Sequence, residues 1–273
     1  LLIANKLVFV KWREALGGNI KVIVSGGAAL QERLAKVFTA AGIPILEGYG
    51  LTETSPVIAV NTFKRGRKLG TVGPLLYDVN VKIGSDNEIL CKGPNVMLGY
   101  YKEPELTKEV IDEEGWFHTG DTGIMEDGKY LKITGRKKAI FKTSNGKYIN
   151  PQFIEEKFKE SPFIENIVVL GENQKFAAAL LVPDFNFLKS WCNIKGINYT
   201  TNNEMINDKV IRKRIQKEVD HYNQQLGESE KIKKYELLAN EWSIETGELT
   251  PTLKLKRNFI CSKYAEIIEK MFA

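Results

Sequence analysis

The chain has 273 residues, which is long enough for one large domain or two smaller ones with a substantial buried core. Hydrophobic residues make up 43% of it and charged residues 27%, a composition that is ordinary for a globular enzyme and disfavours disordered and fibrous classes. The net charge of +5 suits a small anionic ligand. Because no dense basic tract is interleaved with aromatic residues, we expect no nucleic-acid partner.

The cysteines indicate the compartment. Cys91, Cys192 and Cys261 are odd in number, far apart and without CxxC spacing, which disfavours both a disulfide framework and a zinc site and favours a reducing cytoplasm. We expect no transmembrane segment, because no apolar run approaches about 18 residues and the first one is interrupted by Asn5 and Lys6. Peripheral contact with a membrane and the oligomeric state stay open.

The start of the chain indicates a fragment. It begins at Leu1, without a methionine, inside an amphipathic segment that runs to Gly17 and Gly18. We therefore expect a longer parent protein.

A strand, a helix and a second strand follow. IKVIV, residues 20–24, is typical of a buried parallel strand, and it stops at residues 25–27, Ser-Gly-Gly. Gly42 stands where a helix C-cap belongs, and residues 43–46, IPIL, are the next strand. Apolar residues at helical spacing lie between the strands at Leu30, Leu34, Val37, Phe38 and Ala41. This order predicts a βαβ unit in which SGGAA and GYGLTETS leave the carboxyl ends of neighbouring strands, where α/β proteins bind ligands.

The remaining sequence shows two further patterns of residues. From Gly70 to about Arg136, short alternating runs such as VNVKI and EILCK predict an antiparallel sheet or a small barrel. After that, strands such as NIVVL and AAALLV alternate with helical stretches and predict a compact α+β domain. The predicted fold class is therefore α/β and α+β, multi-domain, with boundaries at 1–69, 70–136 and 137–273. One long helix has a predicted apolar face that ends at Gly227 and consists of Val210, Ile211, Ile215, Val219, Tyr222 and Leu226.

Three side chains in the loop after the second strand are suited to nucleotide chemistry. The Tyr49 ring can stack on a base, the Thr52 hydroxyl can donate to a phosphate oxygen, and the Glu53 carboxylate can bind Mg²⁺. Taken alone, this loop is more simply interpreted as a turn with solvated polar groups. Asp121, after a Thr-Gly turn, can accept both hydroxyls of a ribose, although turn capping explains an isolated TGD equally well. Arg136 follows in the motif ITGR.

A basic segment near the end is a further candidate. Lys254, Lys256 and Arg257 in LTPTLKLKR could deliver positive charge to an anionic transition state, whereas most such clusters are simply surface.

Together these motifs resemble the adenylate-forming superfamily, and most closely its long-chain fatty acyl-CoA synthetase branch. The resemblance extends over nearly the whole chain and keeps the order and spacing of the motifs. The residues that carry it are VSGGAAL (24–30), GYGLTETSP (48–56), GTVGPLL (70–76), NVMLGYYKEPELT (95–107), GWFHTGD (115–121), ITGRKKAIFKTSNGKYINP (133–151) and LTPTLKLKR (249–257).

The resemblance implies roles for residues of the first motifs. Tyr49 lies against adenine, Thr52 contacts the α-phosphate and Glu53 binds Mg²⁺. Asp121 holds the ribose diol, and Arg136 lies near the ribose or the phosphate. Small residues that let the backbone approach the nucleotide are implied at Gly27, Ala28, Ala29, Gly48 and Gly50.

The resemblance also implies roles near the end of the chain. Lys138 is the hinge about which the terminal domain turns, and Lys147 faces the adenylate phosphate. Ser144 and Gly146 belong to a loop that reaches the pantetheine tunnel of coenzyme A, and Lys254 is the mobile lysine of the first half-reaction.

The implied activity is AMP-forming ligation of a fatty acid to coenzyme A, with ATP and Mg²⁺. The family's Ser/Thr/Gly-rich phosphate loop occurs nowhere in these 273 residues. We expect it upstream of Leu1, so that the chain by itself cannot complete adenylation. Two alternatives stay open: a ligase for another carboxylic acid, and a non-catalytic module that binds AMP or coenzyme A.

Overall fold

The computed structural model describes residues 2–273, without the side chain of Leu2. The chain forms two compact units that divide between Lys137 and Lys138. The predicted division of the chain into three domains, at residues 1–69, 70–136 and 137–273, stays a prediction.

The first unit begins with a helical segment. It comprises α1 (Leu2–Ala4), a π-helical stretch (Asn5–Phe9) and α2 (Val10–Ala15). The segment ends at Gly17 and Gly18, whose φ angles of 82° and 73° favour glycine.

The predicted strand, helix and strand are present. They are β1 (Ile23–Ser25), α3 (Glu32–Ala40) and β2 (Ile45–Gly50). β1 and β2 are parallel, with Ile23 opposite Ile45. β3 (Val57–Val60) adds an antiparallel third strand beside β2. β2 runs beyond the predicted IPIL because the Gly-Tyr-Gly segment pairs with β3.

The burial predicted for the first strand is wrong. Val24 is 66% exposed, since β1 is an edge strand of this sheet. The apolar composition of IKVIV therefore reports strand propensity and not burial on both faces.

The predicted antiparallel sheet of the first unit is confirmed. Its strands lie in the order β4-β8-β7-β6-β5, and the edge strands β4 and β5 do not pair to close a barrel among the described residues. α4 (Pro104–Val110) lies between β6 and β7 in the chain. The strands are β4 (Gly73–Pro74), β5 (Asn80–Ile83), β6 (Glu88–Lys92), β7 (Phe117–Glu126) and β8 (Tyr130–Arg136).

One apolar core joins the two sheets of the first unit. The Leu76 amide donates to the Ile58 carbonyl oxygen at 2.9 Å, so the backbone also connects them. The buried members of this core are Ile58, Ala59, Val72, Val79, Ile89, Cys91, Phe117 and Leu131. Residues of β2 and β7 are thereby held close together.

The second unit is the predicted α+β domain. A 3₁₀ turn (Lys137–Ala139) precedes a hairpin of β9 (Phe141–Lys142) and β10 (Tyr148–Ile149). The main sheet has the order β11-β12-β13, with strands β11 (Ile164–Leu170), β12 (Ala177–Pro183) and β13 (Ile232–Leu237). The helices are α5 (Pro151–Phe158), α6 (Phe185–Lys195), α7 (Asn202–Asn207), α8 (Lys209–Asn223), α9 (Arg257–Lys263) and α10 (Ala265–Phe272).

The predicted long helix is α8, with two corrections to its apolar face. It ends at Asn223 and not at Gly227, so Leu226 lies beyond the helix. Val210 is 55% exposed. It lies in the first turn, where the Asp208 side chain caps the helix by accepting from the amides of Val210 and Ile211. The other predicted members are buried: Ile211, Ile215, Val219, Tyr222 and Leu226.

No helix within residues 2–273 is both long and apolar enough to cross a membrane.

The core of the second unit gives a stability prediction. Leu180 is fully buried on the central strand β12, opposite Val168 on one side and Glu236 on the other. Leu180→Ala should lower the free energy of unfolding by about 2–5 kcal/mol, because it removes buried surface and leaves a cavity. Urea denaturation measures the change. Val210→Ala, in the exposed first turn of α8, is the control and should change it by no more than about 0.5 kcal/mol; equal losses would contradict this core.

Candidate active site

Glycines shape the end of β2 that carries Tyr49. A Cβ atom at Gly50 would lie 1.7 Å from the Pro56 carbonyl oxygen, and one at Gly48 would lie 3.3 Å from a Val60 methyl group. The strand therefore makes a close turn with β3 that a larger residue at position 50 would block.

The SGGAA loop lies beside this turn. A Cβ atom at Gly26 would lie 3.4 Å from the Gly48 carbonyl oxygen, which places the loop next to the GYG segment. Gly27 has a φ of 77°, and Ala28 and Ala29 are exposed. The loop is held at its end by Glu47, whose carboxylate accepts from the Leu30 amide at 3.0 Å.

Tyr49 and Asp121 meet across the two sheets. The Tyr49 hydroxyl donates to Asp121 Oδ2 at 2.8 Å, although the two residues are 72 positions apart in the chain. Burial and the negative charge of Asp121 raise the pKa of Tyr49, so the hydroxyl keeps its proton and donates. The contact fixes the tyrosine ring at the carboxylate.

The Asp121 backbone is fixed by a threonine two residues earlier. Thr119 Oγ1 accepts from the Asp121 amide at 3.1 Å and donates to the Ile89 carbonyl oxygen at 2.7 Å. Thr119 is buried, and the Asp121 side chain is 14% exposed. The carboxylate thus has a defined position and remains partly exposed.

Arg136 completes this group. It lies opposite Asp121 in the pairing of β7 with β8, and its Nε is 3.4 Å from Asp121 Oδ1. The arginine side chain is 63% exposed. A carboxylate has about four lone-pair sites, so Asp121 can accept from more than one donor at a time.

Glu53 makes a separate contact in the same unit. Its Oε1 accepts from the Tyr100 hydroxyl at 2.9 Å, and its carbonyl oxygen accepts from the Met97 amide at 2.8 Å. Thr52 is exposed at the start of the same turn. The buried Thr54 hydroxyl closes this turn by bonding the Leu51 backbone.

The acidic side chains of the described residues fit a cation site in which the ligand supplies part of the coordination. Within the described chain, no three His, Cys, Asp or Glu side chains are grouped so that they could hold a metal alone. Mg²⁺ is commonly bound through one or two carboxylates together with substrate phosphates and water. The single carboxylate of Glu53 fits that arrangement, with phosphate oxygens supplying the other ligands.

Two local predictions about these residues are wrong. Tyr49 lies on β2 and not in a loop after it, because the GYG segment pairs with β3. Asp121 lies within the ten-residue strand β7 and not after a turn. The Thr-Gly pair still matters, since Gly120 has a φ of 72°.

The KTSNG loop of the second unit is a tight turn between β9 and β10. Its ends are joined by a bond from the Thr143 amide to the Lys147 carbonyl oxygen at 2.9 Å, and Gly146 carries the positive φ of 77°. The Ser144 amide donates to the Gln174 carbonyl oxygen at 2.9 Å. Ser144, Gly146 and Lys147 are all exposed.

Lys254 lies at the tip of another exposed loop of the second unit. Its amide donates to Thr250 Oγ1 at 3.0 Å and its carbonyl oxygen accepts from the Thr250 amide at 2.8 Å. These bonds order the loop backbone and leave the lysine side chain exposed. Lys138 lies within the 3₁₀ turn, as the first residue of the second unit.

Arg257 anchors the chain just after Lys254. Its guanidinium donates to Glu155 Oε1 at 2.6 Å and to the Val169 carbonyl oxygen at 2.8 Å. Glu155 is buried and also accepts from the Val169 amide at 2.8 Å. Burial raises the pKa of Glu155, and the charge of Arg257 acts against that rise. The basic segment LTPTLKLKR indicates that Arg257 is a cation, but it does not predict this anchor.

Sequence reasoning missed several supporting residues. Three of them lie in or near the sequence motifs, but their partners become apparent only in the folded structure. They are Glu47, Tyr100 and Glu155. Glu88 had a detectable signal, since it is a carboxylate at the start of the apolar strand EILCK, and a charge in such a strand needs partners.

The comparisons with known proteins decide the family. Residues 3–101 match the AMP-binding enzyme family, and residues 138–273 match the C-terminal domain of AMP-binding enzymes. The chain belongs to the AMP-binding enzyme family. The resemblance to adenylate-forming enzymes is thereby confirmed.

Curated relatives of this family cover nearly the whole chain. A long-chain-fatty-acid–CoA ligase of Mycobacterium bovis is 37% identical over 272 residues, which are 98% of this chain and 44% of the relative. The peroxisomal long chain acyl-CoA synthetase 7 of Arabidopsis thaliana is 35% identical over 286 residues, 98% of this chain and 41% of the relative. The chain thus spans less than half the length of these relatives.

Solved structures of the family have the same fold. The adenylation domain of a carboxylate reductase from Mycobacterium chelonae matches 99% of this chain and 41% of its own, with a TM-score of 0.76 and 22% identity. The adenylation domain of a carboxylic acid reductase from Segniliparus rugosus, solved with AMP and a co-purified carboxylic acid, matches 96% of this chain and 41% of its own, with a TM-score of 0.76 and 23% identity.

The Arg257 anchor gives a second stability prediction. Arg257→Ala should lower the free energy of unfolding by about 3 kcal/mol, because it leaves the Glu155 carboxylate buried without its cation. Chemical denaturation measures the loss. Lys254→Ala, three residues away and exposed, is the control and should change it by no more than about 0.5 kcal/mol. A loss of the same size in both variants would contradict the anchor.

Proposed function

We propose that the native polypeptide containing these residues is an AMP-forming ligase that joins a long-chain fatty acid to coenzyme A. The contact of Tyr49 and Arg136 with Asp121 carries the proposal, since it gathers an aromatic ring, a carboxylate and a cation from distant parts of the sequence. The curated relatives named as long-chain fatty acid–CoA ligases support the substrate class.

In this proposal the first unit binds the nucleoside of ATP. The Tyr49 ring lies against adenine, and its hydroxyl keeps Asp121 oriented. Asp121 accepts the ribose hydroxyls, and Arg136 supplies positive charge beside them. Gly27, Ala28 and Ala29 support this role because their small side chains let the backbone lie close to the ligand.

The fatty carboxylate attacks the α-phosphorus, pyrophosphate leaves, and charge develops on phosphate oxygens. Thr52 donates to the α-phosphate, and Lys254 and Lys147 supply positive charge. Glu53 is the carboxylate that would hold Mg²⁺, which when bound stabilises charge on the phosphates. Tyr100 donates to Oε1 of Glu53, and the carboxylate has further lone pairs that could bind the ion.

In the second half-reaction, the thiol of coenzyme A attacks the acyl carbonyl carbon and AMP leaves. We propose that Lys138 is the hinge that exchanges Lys254 for the loop of Ser144 and Gly146. A hinge of this kind consists of a few residues at the end of a secondary-structure element, and these residues absorb the change in backbone angles. The short 3₁₀ turn at Lys137–Ala139 is a position of this type.

One observation favours a second candidate for the chain by itself. It covers 44% of the M. bovis relative and lacks the Ser/Thr/Gly-rich phosphate loop of the family. The 273 residues alone are then a module that binds AMP without completing adenylation. Robust ATP-dependent thioester formation by these residues alone would contradict that description.

Lys254→Ala in the native polypeptide tests the assignment of the lysine. Acid-dependent pyrophosphate release should fall by about 100-fold or more, because the ammonium stabilises charge that develops in that step. Thioester formation from a supplied acyl-adenylate should stay within about threefold of the wild type.

Lys256→Ala is the matched control, since it removes an exposed lysine two residues away. An equal loss of both half-reactions in folded Lys254→Ala would overturn the role. Failure of the wild type to release pyrophosphate with any fatty acid would overturn the proposed function.

A further inference from the structure

Glu88 is a buried carboxylate that the proposed reaction does not use. It is the first residue of β6 and is 4% exposed. A charge in such a place requires several partners to offset the loss of water. Its partners come from two parts of the first unit, strand β7 and Lys137.

The first partner is the backbone next to Asp121. Glu88 Oε1 accepts from the Gly120 amide at 3.0 Å. Gly120 has a φ of 72°, so strand β7 contains a left-handed residue immediately before the carboxylate that contacts Tyr49. The bond from Glu88 holds that left-handed residue in place.

The second partner is the last residue of the first unit. Lys137 Nζ donates to Glu88 Oε2 at 2.8 Å and also lies 2.7 Å from Asp86 Oδ2. Lys137 directly precedes Lys138, the residue proposed as the hinge. His118 Nδ1 lies 3.2 Å from the same oxygen, Oε2, of Glu88.

The charge balance supports an ionised Glu88. Burial acts to raise its pKa, but the hydrogen bonds from Lys137, His118 and Gly120 outweigh burial, and the pKa lies below its ordinary value. Both oxygens are therefore acceptors under ordinary conditions. The titratable side chains in the group are those of Lys137, His118 and Asp86.

We propose that Glu88 is a positioning residue of the nucleotide site, which fixes the left-handed Gly120 before Asp121 and holds Lys137 beside the hinge. This inference rests on the proposed function. It assigns one side chain to two tasks, the orientation of the ribose-binding carboxylate and the anchoring of the chain where the second unit begins.

Two variants in the native polypeptide separate the two tasks. Glu88→Ala removes the acceptor for Gly120, and AMP affinity in calorimetric titration should fall by about tenfold or more, because the Asp121 carboxylate loses its fixed position. Glu88→Gln keeps a carbonyl oxygen that can accept from Gly120 but removes the charge that holds Lys137. AMP affinity should then stay within about threefold of the wild type, while the ratio of thioester formation to adenylation changes by about threefold or more.

Lys137→Met provides an independent test of the second task. It should change the rate ratio at least as far as Glu88→Gln, because it removes the contact with Asp86 as well as the bond to Glu88, and the double variant should change the ratio no further than Lys137→Met alone. Glu126→Gln is the matched control. Glu126 lies at the far end of β7 and pairs with Lys68 and Lys132, so the substitution should leave AMP affinity and the rate ratio unchanged.

The outcomes distinguish the inference from the proposed function. If the wild type neither binds AMP nor releases pyrophosphate, the proposed function fails and the role of Glu88 fails with it. If the wild type does both, and folded Glu88→Ala and Glu88→Gln keep its affinity and its rate ratio, the inference alone is overturned. Should Glu88→Ala not fold by circular dichroism, the rate ratios of Glu88→Gln and Lys137→Met decide.

Discussion

The hydrogen bond from Tyr49 to Asp121 joins two sheets that the sequence separates by 72 residues. It requires three local structures at once: the glycine turn at the end of β2, the Thr119 bond that fixes the Asp121 backbone, and the shared apolar core. Because the tyrosine hydroxyl keeps its proton, it orients the carboxylate without neutralising it. The proposed nucleotide site is thus an aromatic surface beside a fixed negative charge.

Buried carboxylates hold two of the segments to which we assign a function. In the second unit, Glu155 binds Arg257, three residues after Lys254. In the first unit, Glu88 binds Lys137 and the Gly120 amide next to Asp121. In each case the residue with the proposed role is more exposed than its anchor, so the anchoring charge lies in the interior and the proposed functional side chain remains accessible.

Sequence patterns predicted the strands and helices better than they predicted the burial and the contact partners of single residues. The β1–α3–β2 order, the antiparallel sheet and the buried face of α8 follow from hydrophobic periodicity. Hydrophobic periodicity did not predict the exposure of Val24 or the positions of Tyr49 and Asp121 on strands. These features depend on which strands pair, and pairing is set by residues that are distant in the sequence. The partners of Glu88 and Glu155 were missed for the same reason, whereas Tyr49, Asp121 and Arg136 were found through motifs and do lie together.

In the proposed function, Asp121 receives the hydroxyls of a ribose while Tyr49 holds the carboxylate in place. The most direct measurement compares the affinities of AMP and 2′,3′-dideoxy-AMP for the protein by calorimetric titration. Hydrogen bonds to a charged group contribute about 1.5–3 kcal/mol each, so AMP should bind at least about tenfold more tightly. Equal affinity for the two nucleotides would contradict the account.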